Sequence, residues 1–175
     1  MNSKGIVVWF TGFSGAGKTT VADKVNEILK DKNVRVQRLD GDIVRQSLTK
    51  DLGFSKEDRD INIERVAFVA KLLSDHGVIV LSTFISPYQR HRDLIRNMSN
   101  NYAEVFVNAP IEVCEERDVK GLYKKARAGE IENFTGVNDP YEVPENPDLV
   151  LNTGEEDIDE SVAKVINYLS NNGYI

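Results

Sequence analysis

Apolar residues in this chain form short unbroken runs and stripes at helical spacing, and the two patterns alternate from end to end. Gly5-Ile6-Val7-Val8-Trp9-Phe10-Thr11 is an unbroken run rich in β-branched and aromatic side chains, the composition of a strand buried on both faces of a parallel sheet. From Thr20 to Lys30, Val21, Val25, Ile28 and Leu29 fall at helical spacing. Val34 to Leu39 alternates and predicts a second strand ending at Asp40-Gly41-Asp42. Ile61 to Leu73 sets Ile63, Val66, Ala67, Ala70 and Leu73 on one helical face, with Val69 and Leu72 widening it, so this helix is expected to be largely buried. Val78 to Leu81 reads as a third strand that ends in the polar Ser82-Thr83, and Pro87 suits the first turn of a helix running toward Met98. Glu104 to Asn108 predicts a fourth strand, Ile111 to Arg117 a helix opened by Pro110, and Leu149 to Leu151 a short fifth strand. The last helix carries Ile158, Val162, Val165, Ile166 and Leu169 on one face, with Gly173 at its C-terminal end. Strands alternating with helices imply an α/β sheet.

One stretch breaks the alternation. Asp118 to Asp148 is polar, contains Gly121, Gly129, Gly136 and three prolines, and has only a short helical pattern over Leu122 to Ala128. A long irregular segment inside a compact α/β unit is expected to be a functional lid.

Composition narrows the class. With 175 residues, 41% of them hydrophobic, the chain fits one globular domain over 1–175 and is not a disordered one. No apolar run approaches the roughly 20 residues of a membrane span, and the N-terminus carries no signal-peptide pattern, so a cytoplasmic protein with no membrane partner is expected. The lone Cys114 excludes an intrachain disulfide and a multi-thiolate metal site, and two histidines are a poor basis for zinc. Cys114 reads as a small apolar residue, His76 as a helix C-terminal cation and His91 as a surface helix residue. A net charge of −6 argues against a nucleic-acid partner.

Candidate chemistry begins at Gly12-Phe13-Ser14-Gly15-Ala16-Gly17-Lys18-Thr19, which fits G-x-x-x-x-G-K-[ST] between a predicted strand and a predicted helix that begins at Thr20. In this phosphate-binding loop, glycines allow close wrapping of phosphate, backbone N–H groups and the helix dipole favour the anion, Lys18 reaches the β and γ phosphates, and Thr19 offers its hydroxyl to Mg²⁺. Residues 12–20 are therefore the candidate ATP site. The chain has no N-K-x-D motif for guanine, and the third strand ends in Ser82-Thr83 where large mechanical ATPases place an acid. A small-molecule kinase, which must exclude water, fits better.

Asp40-Gly41-Asp42 lies at the carboxyl end of the second strand, where ligands gather in such sheets. Two readings fit it: carboxylates that accept a hydroxyl proton or hold Mg²⁺-bound water, or an Asx turn with the second aspartate, Asp42, capping the next helix. Arg45, Arg59 and Asn62 could converge on an anionic acceptor, and each arginine equally fits a surface salt bridge.

The sequence closely resembles the adenylylsulfate kinase family. The matching pieces, in the family's order and over nearly the whole chain, are 12–19 (GFSGAGKT), 39–45 (LDGDIVR), 52–65 (LGFSKEDRDINIER), 84–88 (FISPY), 114–129 (CEERDVKGLYKKARAG) and 134–141 (FTGVNDPY). The resemblance implies a P-loop kinase fold: three α/β/α layers, a mostly parallel sheet of about five strands, and a mobile lid over 118–148. It implies transfer of the γ-phosphoryl of MgATP to the 3′-hydroxyl of adenosine 5′-phosphosulfate in sulfate activation. By the same resemblance Asp42 orients or deprotonates that hydroxyl, while Arg45, Arg59 and Asn62 grip the phosphosulfate and ribose. Phe54 and Phe134 sandwich the acceptor adenine, Ile85 and Ser86 add contacts, Val137 and Asn138 close over the acceptor, and Lys124 approaches the transferring phosphate. Thr19, with Asp40 through water, is expected to hold Mg²⁺. Bland roles are open for Phe54 as a hydrophobic staple, Phe134 as a loop anchor and Lys124 as a solvated charge.

Some family members carry a phosphorylated serine at the position of Ser86. With no base recognisable beside it, direct in-line transfer is the preferred expectation and a phosphoserine intermediate the alternative. Phe13, Tyr88 and Asn133 depart from the commonest family pattern and leave room for a shifted acceptor preference. The competing readings are a kinase for another small acceptor and a catalytically silent nucleotide-binding regulator. A homodimer is expected from the family, as is a separate ATP sulfurylase to supply the acceptor, because the chain leaves no room for that enzyme.

Overall fold

A computed structural model describes residues 4–175. Five parallel strands, β1 (Ile6–Thr11), β2 (Val36–Asp40), β3 (Ile79–Thr83), β4 (Tyr102–Val107) and β5 (Leu149–Leu151), are ordered β2-β3-β1-β4-β5. Every residue of β1 and β3 is buried, as their unbroken apolar runs require. Alternation of side chains along β1 divides the core. Ile6, Val8 and Phe10 join a cluster with α1 (Lys18–Asp31) and α7 (Ile158–Asn171), while Val7 and Trp9 join one with α3 (Lys56–Asp75) and α4 (Gln89–Met98). The expected α/β/α layering results.

Three boundaries differ from the sequence pattern for identifiable reasons. Helix α3 begins at Lys56, one turn and more before Ile61, because Ser55 accepts a hydrogen bond from the Asp58 N–H (3.1 Å) and caps a first turn whose charged residues carry no apolar stripe. A short helix α2 (Gly41–Arg45) follows β2 directly. Its cap is Asp40, whose carboxylate accepts from the Asp42 N–H (3.0 Å), so the cap falls on the first aspartate of the pair and not on Asp42, which lies inside the helix. Strand β3 begins at Ile79 rather than Val78 and ends in Ser82 and Thr83 as expected, both side chains buried.

Helices α5 (Ile111–Arg117) and α6 (Leu122–Arg127) complete the set. The rest of 118–148 is turns and irregular backbone with one isolated bridge, Thr135 to Asp139. No helix among the described residues is long and apolar enough to cross a membrane.

Candidate active site

The carboxyl ends of β1, β2 and β3 open into one cavity of about 1140 Å³, larger than a single small ligand ordinarily needs. Its nucleotide end is the loop from Gly12 to Gly17. Gly12 has φ 154°, and a Cβ there would lie 2.5 Å from the Val107 carbonyl oxygen, so only glycine lets the loop leave β1 against β4. Gly17, at φ 105°, is the left-handed N-cap of α1 and carries no capping side chain, leaving the first N–H groups of a 14-residue helix facing the loop.

Long-range hydrogen bonds fix this loop from behind. Arg117 donates to the Gly15 carbonyl (3.2 Å) and the Thr153 carbonyl (2.6 Å), Thr153 Oγ1 donates to the Ala16 carbonyl (2.6 Å), and Tyr123 Oη donates to the Ser14 carbonyl (2.8 Å). Arg117, Tyr123 and Thr153 also line the cavity, yet the motif gives no sign of them. Arg117 and Tyr123 lie within the family-matching piece 114–129, which marks them without a role, and Thr153 carries no mark at all.

Lys18 Nζ donates to the carbonyls of Gly12 (2.9 Å) and Phe13 (2.7 Å). Burial lowers its pKa to about 8, against opposing pulls from Cys114 and the two carboxylates Asp40 and Asp42. Ser14 to Thr20 line the cavity, whereas Gly12 and Phe13 stand behind its wall.

Thr19 Oγ1 donates to Asp40 Oδ2 (3.1 Å), and Thr83 Oγ1 donates to the same oxygen (2.9 Å). Burial raises the Asp40 pKa, but the hydrogen bonds from Thr83, the Asp42 N–H and Thr19, with the charge of Arg38, outweigh it and hold the carboxyl below its ordinary range. Arg38, absent from the sequence reading, pairs with both Asp23 (2.8 Å) and Asp40 (3.4 Å) and donates to the Leu81 carbonyl (2.8 Å). Among the described residues no cluster of three or more His, Cys, Asp or Glu could cage a metal. One hydroxyl with one ionised carboxylate beside a phosphate loop is instead the donor set that suits Mg²⁺, which keeps several waters and takes its other ligands from phosphates.

The opposite end, where the sequence places the expected acceptor residues, is assembled from four separate segments. Arg45, on α2, lies over the Phe54 ring at 4.3 Å and donates to the Gly53 carbonyl (3.0 Å); burial and the neighbouring Arg59 lower its pKa. Arg59 faces residues 133–139, reaching Thr135 Oγ1 (3.3 Å), Asp139 (3.4 Å) and the Asn133 carbonyl. Asn62 is buried with its Oδ1 unpartnered. Phe54 and Phe134 both line the cavity, Phe54 exposed by 59% and Phe134 packed edge-on against Tyr123 at 5.0 Å. Ile85 and Ser86 close the floor.

Val137, Asn138 and Lys124 do not line the cavity. Val137 packs against the core, Asn138 accepts from the Phe134 N–H (2.5 Å), and Lys124 is exposed on α6. The cation that does stand on the wall is Lys120, paired with Asp42. It shares the polar segment with Lys124, where no periodicity separates one lysine from the other.

Ser86 is 3% exposed and sits at φ 41°, an uncommon conformation for a side-chain-bearing residue. Its Oγ accepts from Trp9 Nε1 (3.0 Å) and donates to the Phe84 carbonyl (3.2 Å). His91, expected on the surface, is instead 3% exposed and bonded to Asp60, because α3 and α4 pack together over it. Burial lowers its pKa, with Asp60 opposing.

A family model, Adenylylsulphate kinase, matches residues 4–152. The chain belongs to the adenylylsulphate kinase family. The adenylyl-sulfate kinase of Halothermothrix orenii is 64% identical over 99% of this chain and 94% of its own length. That of Microcystis aeruginosa is 57% identical over 100% and 97%. Among solved structures, the Mycobacterium tuberculosis APS kinase CysC in complex with AMPPNP and APS superimposes with a TM-score of 0.93 at 47% identity, covering 96% of this chain and 99% of that one. A gluconokinase from Sinorhizobium meliloti, 15% identical with a TM-score of 0.63, shares the fold alone.

Proposed function

We propose that this family member transfers the γ-phosphoryl of MgATP to the 3′-hydroxyl of adenosine 5′-phosphosulfate, giving 3′-phosphoadenosine 5′-phosphosulfate and ADP. The observation that carries the reading is that one cavity joins the phosphate loop to a second, aromatic and cationic end at Phe54, Phe134, Arg45 and Arg59. Two anionic nucleotides can then lie end to end with their reacting groups between Lys18 and Asp42.

Phosphoryl transfer asks mainly for alignment and charge neutralisation. Residues 14–20 hold the triphosphate and Lys18 faces its outer phosphates. Thr19, and Asp40 through water, would hold Mg²⁺, which would supply neutralisation of phosphate charge. Asp42 orients the acceptor hydroxyl and takes up its proton. Lys120, released from Asp42, is the closer candidate for the cation at the transferring phosphate, with Lys124 outside the wall. Arg45, Arg59 and Asn62 grip the phosphosulfate and ribose, Phe54 and Phe134 stack on the adenine, and Ile85 and Ser86 support it. The segment 118–148, with Val137 and Asn138, acts as a lid that excludes water.

Transfer is direct: the Ser86 hydroxyl is buried, spends its proton on the Phe84 carbonyl and has no basic partner. The protein works in the cytoplasm after a separate sulfate-adenylylating enzyme. It forms a homodimer, a reading supported by the exposed Ile61, Phe68 and Leu72 along one stripe of α3; a monomer at micromolar concentration in sedimentation would contradict it.

The functional test is ADP release with MgATP and adenosine 5′-phosphosulfate, against controls with sulfate, AMP, a cytidine diphosphate conjugate and no acceptor. Turnover with the phosphosulfate alone is expected. Turnover only with another acceptor would overturn the acceptor assignment and keep the kinase.

A further inference from the structure

Tyr141 ends the last matching motif of the sequence, yet no role in binding or transfer falls to it. Its ring is enclosed by three parts of the molecule. Phe13 of the phosphate loop packs on it at 4.9 Å between centroids, Phe106 of β4 stacks at 6.2 Å and 17°, and the Arg92 guanidinium lies 5.7 Å from its centre. Burial, outweighing the Thr11 hydrogen bond, pushes the phenol up to about 12, so it stays protonated and able to donate.

Counting protons fixes the direction of the next bonds. Thr11 Oγ1 has one hydrogen, which it directs at the Ile85 carbonyl (2.7 Å), with the Ser86 carbonyl further off at 3.4 Å. The 2.8 Å contact between Thr11 Oγ1 and Tyr141 Oη therefore has Tyr141 as donor. A relay runs Tyr141 to Thr11 to the Ile85 carbonyl, ending at the residue pair that forms the acceptor floor. Arg92, fully buried, closes the same circuit by donating to the Ser86 carbonyl (2.7 Å) and the Glu142 carbonyl (2.5 Å), while the Glu142 N–H donates to the Pro87 carbonyl (2.8 Å). Ser86 at φ 41° requires such surrounding bonds to persist.

We propose that Tyr141 is a positioning residue of the acceptor site, its hydroxyl setting the Ile85–Ser86 backbone through Thr11 while its ring is seated on Phe13. The C-terminal part of 118–148, around Tyr141 and Glu142, thereby holds the acceptor floor in register with the phosphate loop. The role rests on the proposed function for its kinetic consequence but not for its structural one.

The test uses Tyr141→Phe, which keeps the ring contacts, and Thr11→Val, which breaks the relay at its centre with an isosteric side chain. Both are expected to raise the acceptor KM about five- to tenfold and leave the ATP KM within twofold, with the double variant no worse than either single one. A readout free of turnover comes from Trp9, the only tryptophan in the sequence, which donates to Ser86 Oγ. Its emission maximum is expected to shift in the same direction in both single variants without substrate. Equal rises in both KM values, additive effects, or lower thermal stability with unchanged emission and acceptor KM would each overturn the proposal. If the native chain fails to turn over the phosphosulfate, the functional reading falls and the emission arm still decides the relay.

Discussion

The two ends of the cavity are built on different principles. The nucleotide end is one contiguous loop whose outward face is backbone and whose back is bonded to Arg117, Tyr123 and Thr153. The acceptor end is side chains from α2, the start of α3, the floor after β3 and residues 133–135, with Phe54 largely in solvent. A pre-bonded backbone cradle loses little freedom when a phosphate arrives, whereas the acceptor's side chains must be ordered at a cost of about 0.5–1.5 kcal/mol each. Specificity is thus concentrated where ordering is most expensive, and general triphosphate binding where it is least.

The sharpest break of this contrast is Lys18→Ala. Removing the cation proposed to face the transferring phosphate is expected to lower kcat by about 10²–10³-fold in steady-state assays, with acceptor binding retained. Next is Phe54→Ala, which deletes one face of the proposed adenine stack. A loss of about 1–3 kcal/mol predicts an acceptor KM raised by about five- to 150-fold and an ATP KM within twofold. Equal effects on both substrates would abolish the division of labour.

Arg117→Ala tests the opposite end. The bond to the Gly15 carbonyl at the back of the phosphate loop disappears together with the one to the Thr153 carbonyl beside it, and the ATP KM is expected to rise about tenfold while the acceptor KM moves little. The smallest effect is that of pH. Lys18, buried and lowered to about 8, is charged below that value and neutral above it, so kcat/KM for ATP is expected to fall as pH rises through about 8. The linkage to folding has the other sign. Between about 8 and its ordinary 10.5 the unfolded lysine holds the proton that the folded one has lost, so this site's contribution to stability rises with pH. Phosphate affinity and fold stability moving apart in a pH series would identify Lys18.

Legibility followed the same division. The phosphate loop could be read because its residues are adjacent and two flanking elements announce it, and the strands because buried parallel strands are unbroken apolar runs. Arg45, Arg59 and Asn62 could be read only as polar groups able to converge on an anion, with a surface salt bridge equally open for each arginine; Phe54 was named by the family resemblance, and the fold brought all four to one wall. Lys120 was not distinguishable from Lys124 on a polar segment, and Arg117 acts through carbonyls far away in sequence. His91 looked exposed because its neighbours Arg90 and Arg92 are charged, yet α3 covers it, and Arg92 is itself fully buried. Side-chain convergence across segments is set by packing, which periodicity alone does not encode.

The most direct test of the account follows the phosphoryl group itself. The enzyme is incubated with adenosine 5′-phosphosulfate and ATP radiolabelled at the γ-phosphate, and the nucleotide product is treated with a 3′-specific phosphatase. The account predicts that all transferred label is released as phosphate by that treatment, with none retained on protein after acid quench. Label on a serine of the chain, or at a position the 3′-phosphatase leaves untouched, would contradict it.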